Sequence, residues 1–296
     1  MDTHRKGFWL GLFAVILFAL NFPAMKVAVR ELDATTVGLG RGLLAAIPAA
    51  ALLLITRQKL PRREHLIPLF LTSAGAVIGF PLLLSIALND APASHAAIVT
   101  GLMPLATAVL GSWRERERQS RLFWATAIAG SGVVVLYAIF TGDGTLPLHD
   151  GALFLAVLSA AVGYTEGARL GRALGSWQVI CWALIVAIPA MLYPVVKSVQ
   201  EHGANASFTA WLGFFYAGLI SMFLGYFIWY RGLMLGGIAR VSQVQLLQPF
   251  LALGFCALLL DEPLTIPTLA CALLVCGCVA LTRKLKPTSA KVVEEI

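Results

Sequence analysis

The run VSQVQLLQPF (241–250) places a serine, three glutamines and a proline at the head of a long apolar stretch. None of these residues ionises, so they suit the recognition of a polar solute rather than acid–base work. On an α-helix, at about 100° per residue, Ser242, Gln245 and Pro249 share one face, with Gln248 at its edge and Gln243 pointing away. Pro249 lacks an N–H, so it leaves the carbonyl of Gln245 without its helical donor. Two amides, a hydroxyl and a free carbonyl would converge on one side. In lipid each of them needs a partner, because an unsatisfied group costs several kcal/mol. This face is therefore expected either to line a polar cavity or to bond helix to helix.

The elements that must position these groups follow from composition. The 296 residues are 59% hydrophobic and 12% charged, with mean hydropathy +0.83, where soluble domains carry about 25% charged residues. Charges fall in short clusters separated by apolar stretches of about 20 residues, the length that crosses a hydrocarbon core ~30 Å thick. This pattern excludes a soluble domain and predicts an all-α integral membrane protein. The N-terminal MDTHRKGFWLGLFAVILFALNFP looks like a signal peptide. Its apolar part is too long, however, and no small-residue cleavage site follows, so it is expected to stay as the first membrane helix. Runs bounded by charge or turn residues predict ten helices, over 7–28, 34–56, 66–88, 91–112, 121–140, 151–171, 176–197, 209–231, 238–260 and 264–282.

The net charge of +7 does not mark a nucleic-acid binder, because the basic residues form no basic domain. They follow the helices instead. With the N-terminus inside, eighteen basic residues fall at inner ends and three, Lys26, Arg30 and Lys197, at outer ends. That asymmetry predicts both termini in the cytoplasm. All five cysteines lie inside apolar runs with no zinc spacing, and read as small buried apolar residues.

The opening stretch has a partner. A shift of 145 residues lays 98–136 over 243–281 and puts Pro104 on Pro249, Glu117 on Glu262 and Gly132 on Gly277. The chain thus reads as two five-helix halves, 1–145 and 146–296. An odd number of helices per half sends the second half in from the opposite side. Inverted repeats of this kind can exchange conformations between two similar, oppositely open states, which suits a carrier.

The pattern Pro–x12–Glu before a glycine-containing apolar helix, present twice, resembles the EamA repeat of the drug/metabolite transporter superfamily. So do ALNFPAMKVAV (19–29), LGRGLLAAIPAAALLL (39–54) and GYFIWYRGLMLGG (225–237). Glu117 sits in RERER (114–118), a departure from that pattern. The resemblance implies a ten-helix carrier in the plasma membrane (the bacterial inner membrane). Its cavity would be formed mainly by helices other than the fifth and tenth, with Tyr226 near it. The cargo would be a small metabolite, most often an amino acid, with aromatic ones among the candidates.

Other candidates come from position along the helices. Pseudo-symmetry sets Thr100, Met103 and Pro104 opposite the glutamine run, with His95 nearer the outer end. Tyr164 and its inverted counterpart, Asn21-Phe22, lie near mid-depth, and Phe80, Pro81 and Trp182 are further lining candidates. Gly163, Gly167 and Gly171 form a smooth stripe for close helix packing or sliding. Arg41, about 10 Å deep, costs roughly 2.5–3.5 kcal/mol unless it snorkels, bonds backbone carbonyls or meets a solute carboxylate. Lys26 could act likewise. Glu166 pairs with Arg169 or carries a coupling proton, and His95 titrates near neutral pH, so proton coupling stays open.

The partners expected are therefore a small-molecule substrate and the lipid bilayer, with no cofactor, no metal and no nucleic acid. Oligomeric state is left open, a monomer included. A membrane enzyme would need clustered acids or histidines such as HExxH, which the sequence lacks, and GLGRG (38–42) has no preceding strand to make a dinucleotide loop. A non-transporting subunit would have no use for two inverted halves, and no ATP-binding motif is present. An exporter of drugs or other metabolites is the alternative to an amino-acid exporter.

Overall fold

A computed structural model describes residues 3–114, 121–141, 148–236 and 242–284. These residues form helices and, among them, no strand. We number ten helical runs. α1 is Thr3–Val29 and α2 is Ala34–Ile55. α3 joins Leu66–Thr72, a π-helical stretch Ser73–Gly79, and Phe80–Asp90. α4 joins Ala93–Thr100 and Met103–Arg114. α5 is Arg121–Thr141, α6 is Leu148–Leu174 and α7 is Ser176–His202. α8 joins Phe208–Phe215, a π-helical stretch Tyr216–Gly225, and Tyr226–Gly236. α9 joins a 3-10 segment, Ser242–Leu247, and Gln248–Leu260, and α10 is Ile266–Lys284. Among the described residues seven helices are long and apolar enough to cross a membrane, and three shorter apolar ones lie in α5, α9 and α10. The chain is a multi-pass membrane protein.

Local chemistry sets the helix ends. The Asp33 carboxylate accepts from the Thr35 N–H at 2.8 Å to start α2, and the Ser207 hydroxyl oxygen accepts from the Ala210 N–H at 3.2 Å to start α8. Gly203, at φ 79°, ends α7 in a conformation that glycine adopts without steric cost. Prolines also lie inside α1, α2 and α7, which membrane helices tolerate where neighbouring groups re-satisfy the freed backbone.

α9 departs from the expected continuous helix. The α-helix begins at Gln248, and Pro249 sits in its first turn, where a missing N–H removes no helical bond. Pro249 therefore starts a helix rather than interrupting one. Upstream, the 3-10 segment turns three residues per turn, so residues i and i+3 eclipse. The expected shared face of Ser242, Gln245 and Pro249 gives way to an edge carrying Gln245 and Gln248. α4 breaks at the matching place, its second segment starting at Met103, which Pro104 follows.

α1 packs on α8 and α9, α6 on α3 and α4, α2 on α7, α4 on α9, and α5 on α10. Exchanging each helix for the one five places along leaves this pairing unchanged. The π-helical stretches of α3 and α8 also correspond, beginning 143 and ending 146 residues apart (73 to 216, 79 to 225). Gly163 of α6 lies directly on the Ala76 backbone of α3, and Gly167 lies on Thr72, so the glycine stripe makes a tight helix contact.

Polar ties fasten the end that carries the α1–α2 connection. Lys26 Nζ donates to the carbonyls of Leu88 (2.6 Å), Asn89 (3.2 Å) and Ala91 (2.9 Å). Glu262 accepts the N–H groups of Ala93 and Ser94, both at 2.8 Å, and so caps α4. The Glu31 carboxylate accepts the Ser207 N–H and hydroxyl, and Ser198 donates to Asp33 at 2.5 Å. At the opposite end Glu166 pairs with Arg114 (2.7 Å) and Arg169 (3.3 Å). Glu117 lies outside the described residues.

Candidate functional site

A crevice enclosing about 490 Å³, counted out to its mouth, opens between the helices. Phe18, Asn21 and Phe22 come from α1 and Arg41 from α2; Ala76 and Phe80 come from α3 and Met103 from α4. The second half supplies Tyr164 of α6, Ser221, Met222 and Tyr226 of α8, and Gln245 and Gln248 of α9. α5 and α10 contribute no lining residue among those described.

Arg41 dominates the crevice electrostatically. It is 3% exposed, and one guanidinium nitrogen donates to Asn21 Oδ1 at 3.2 Å and to the Met25 thioether. Its Nε has no hydrogen-bond partner among the described residues. An amide oxygen and a weakly accepting sulfur leave much of a five-donor fork unused. Arg41 therefore neither snorkels nor bonds backbone carbonyls, as it could have done. The crevice also holds a hydroxyl pair, Tyr164 and Tyr226, 3.0 Å apart, with the Phe18 ring 5.3 Å from that of Tyr226. Gln245 and Gln248 are half-buried, and no hydrogen bond links either amide to another described residue. The rest of the wall is aromatic or thioether surface.

The crevice thus brings together Asn21, Phe22, Arg41, Phe80, Met103, Tyr164, Tyr226, Gln245 and Gln248. Other candidates are engaged elsewhere. Thr100 donates back to the Ala96 carbonyl at 2.7 Å within its own helix. His95 bonds Asp150 at 2.5 Å and stacks on Tyr137. Trp182 packs against the apolar cluster formed by α2, α3, α6, α7 and α8. Pro249 is buried facing Gly101. Lys26 is held by backbone carbonyls, and Glu166 by its two arginines. The Ser242 side chain lies outside the described residues. Sequence reasoning missed Phe18, Ala76, Ser221 and Met222. The repeat holds a signal for one pair, since Ala76 and Ser221 are separated by the same 145 residues that relate Met103 to Gln248. The groups with metal-ligating chemistry, His95, His149 and Asp150, lie outside the crevice.

Residues 5–139 and 149–283 each match the EamA-like transporter family. The chain belongs to the EamA-like transporter family. Similar proteins of this family include the uncharacterized transporter YdeK of Bacillus subtilis (strain 168), 39% identical over 96% of this chain and 99% of the relative. Another is a probable amino-acid metabolite efflux pump of Escherichia coli (strain K12), 29% identical over 88% of this chain and 89% of that one. A crystal structure with 16% identity shares the fold, with a TM-score of 0.62 over 95% of this chain and 99% of the other. As an EamA-family member the chain is a membrane transporter, not an enzyme, and its crevice is the candidate place for cargo.

Proposed function

We propose that this transporter exports amino acids, apolar or aromatic ones among them, by alternating access through the crevice. The observation that carries this reading is Arg41, a buried guanidinium in a cavity wall whose only acceptors among the described residues are an amide and a thioether. A carboxylate fits its free fork and would form the bidentate, charge-assisted pair that guanidinium favours. The amides of Gln245 and Gln248 and the tyrosine hydroxyls can take the polar remainder. Phe18, Phe22, Phe80, Met103 and Met222 then face an apolar side chain. The relatives named as amino-acid metabolite efflux pumps support the same class of cargo.

Residues 1–145 and 146–296 act in this reading as inverted halves, with both termini cytoplasmic. The symmetric helix pairing and the matched breaks in α4 and α9 support it. The π-helical stretches of α3 and α8 flank the crevice and provide the flexing points, since such stretches interrupt the regular helical ladder.

Counterflow in proteoliposomes with a panel of labelled amino acids tests the proposal. Wild type should exchange at least one of them, and Arg41→Gln should slow that exchange by at least about tenfold. A panel without any exchanged solute overturns the amino-acid reading. A decarboxylated analogue that exchanges as well as its parent overturns the role of Arg41.

A further inference from the structure

We propose that His95, His149 and Asp150 form a binding site for a first-row transition metal ion, zinc above all, at the α1–α2 end of the bundle. His95 stands in the first turn of α4, and His149 and Asp150 stand in the first turn of α6. His95 thus comes from the first family-matching segment, and His149 and Asp150 from the second. His95 Nε2 lies 2.5 Å from Asp150 Oδ1, and His149 Nε2 lies 4.0 Å from the same oxygen. All three ligand atoms fall within 4.8 Å of one another. Tetrahedral zinc with bonds of about 2.0–2.1 Å sets its ligands roughly 3.3 Å apart. Of the two separations to Asp150 Oδ1, one must therefore widen and the other close, each by less than about 1 Å, and the two imidazole nitrogens must approach by no more than about 1.5 Å.

The burial pattern points to a ligand rather than to a simple ion pair. Asp150 is 0% exposed, and its second oxygen, Oδ2, is buried without a hydrogen-bond partner among the described residues. A buried carboxylate oxygen left idle carries an uncompensated desolvation cost. His95 is held in place by the Tyr137 ring, 5.4 Å away between centroids, and Tyr137 bonds Thr268 of α10 at 3.2 Å. The nearby Glu262 carboxylate is committed to the α4 N-terminus. The His149 side chain is 21% exposed, which leaves that flank open to an ion and to a water as fourth ligand. Two imidazoles and a carboxylate favour zinc, cobalt or nickel over magnesium or calcium, which prefer oxygen ligands. A bound ion would fasten α4 to α6. The sequence alone does not show this, because the ligands are 54 and 55 residues apart (95 to 149 and 150) in no recognised spacing.

The test uses purified full-length protein without an affinity tag, in detergent. Cobalt(II) is titrated and followed by its visible d–d absorption, and zinc is counted by metal analysis after dialysis. Wild type should take up one equivalent with a tetrahedral cobalt spectrum lacking sulfur charge transfer, and zinc should raise its unfolding temperature. His149→Ala, a change at the most exposed ligand, should weaken binding by at least the roughly 10- to 100-fold that loss of an outer-shell partner costs. It should also remove the zinc-dependent thermal shift. Asp150→Asn should do the same, and His202→Ala should bind like wild type. No stoichiometric uptake by wild type overturns the site, and so does uptake by His149→Ala equal to that of His202→Ala. Neither result depends on transport, so the amino-acid reading fails or stands separately.

Discussion

Arg41 and Thr100 show how little a residue's type reveals until its neighbours are known. Both are polar groups inside apolar helices. Thr100 satisfies its hydroxyl on its own helix, so Thr100→Val should leave exchange within about twofold of wild type. Arg41 meets an amide and a thioether, and in the proposed function its substitution would remove a charged partner from the cargo. A hydrogen bond to a charged group is worth about 1.5–3 kcal/mol, so Arg41→Gln should lower kcat/KM for carboxylate-bearing cargo by roughly 10- to 150-fold. Gln245→Ala removes a neutral amide worth about 0.5–1.5 kcal/mol, so the loss should be only about 2- to 12-fold. Initial rates of counterflow with the two variants side by side check the ranking. A Gln245 effect larger than that of Arg41 would reverse the assignment of the main anchor.

At the scale of elements, the glycines of α6 separate contact from composition. Gly163 lies on the Ala76 backbone, so an added Cβ has no room, whereas Gly132 of α5 has nothing within 4 Å of where its Cβ would stand. Gly163→Ala should cost about 1–3 kcal/mol through overpacking. Gly132→Ala should be neutral or stabilising by about 0.5–1 kcal/mol. Thermal unfolding in detergent distinguishes them. The stripe Gly163, Gly167, Gly171 was legible in the sequence, because small residues at every fourth position allow close approach. Its partner was not, since Ser73–Gly79 carries no mark of where it docks. The rotation of α9 was also hidden. A 3-10 turn advances about 120° per residue and an α-turn about 100°, so three residues shift a face by about 60°. That shift explains why Gln245 aligns with Gln248 rather than with Pro249.

At the scale of the whole molecule, the ties at the α1–α2 end predict a pH dependence. Burial works to raise the Asp33 carboxyl, but the Ser198 hydroxyl and the Thr35 N–H outweigh it and hold the group below its usual range. The Ser207 N–H and hydroxyl lower Glu31 in the same direction. A depressed carboxyl stabilises the fold fully above its unfolded value, near 4, and that contribution is lost as pH falls through the folded value. The unfolding temperature should therefore drop between about pH 5 and pH 3, and Asp33→Asn should flatten that drop. Equal slopes in both proteins would remove Asp33 from the account.

The sequence by itself determined the number and order of the apolar helices, the doubled Pro–x12–Glu pattern and the presence of amides within membrane-length runs. These are properties of one residue or one stretch, and the cost of a polar group in lipid applies to each regardless of its partner. The tertiary structure decided which polar groups meet: Arg41 with Asn21, Tyr164 with Tyr226, and His95 with Asp150. Those meetings depend on helix register and on local turns such as the one before Gln248. A small rotation within one helix changes its facing partner, and nothing in the chain's linear order records it.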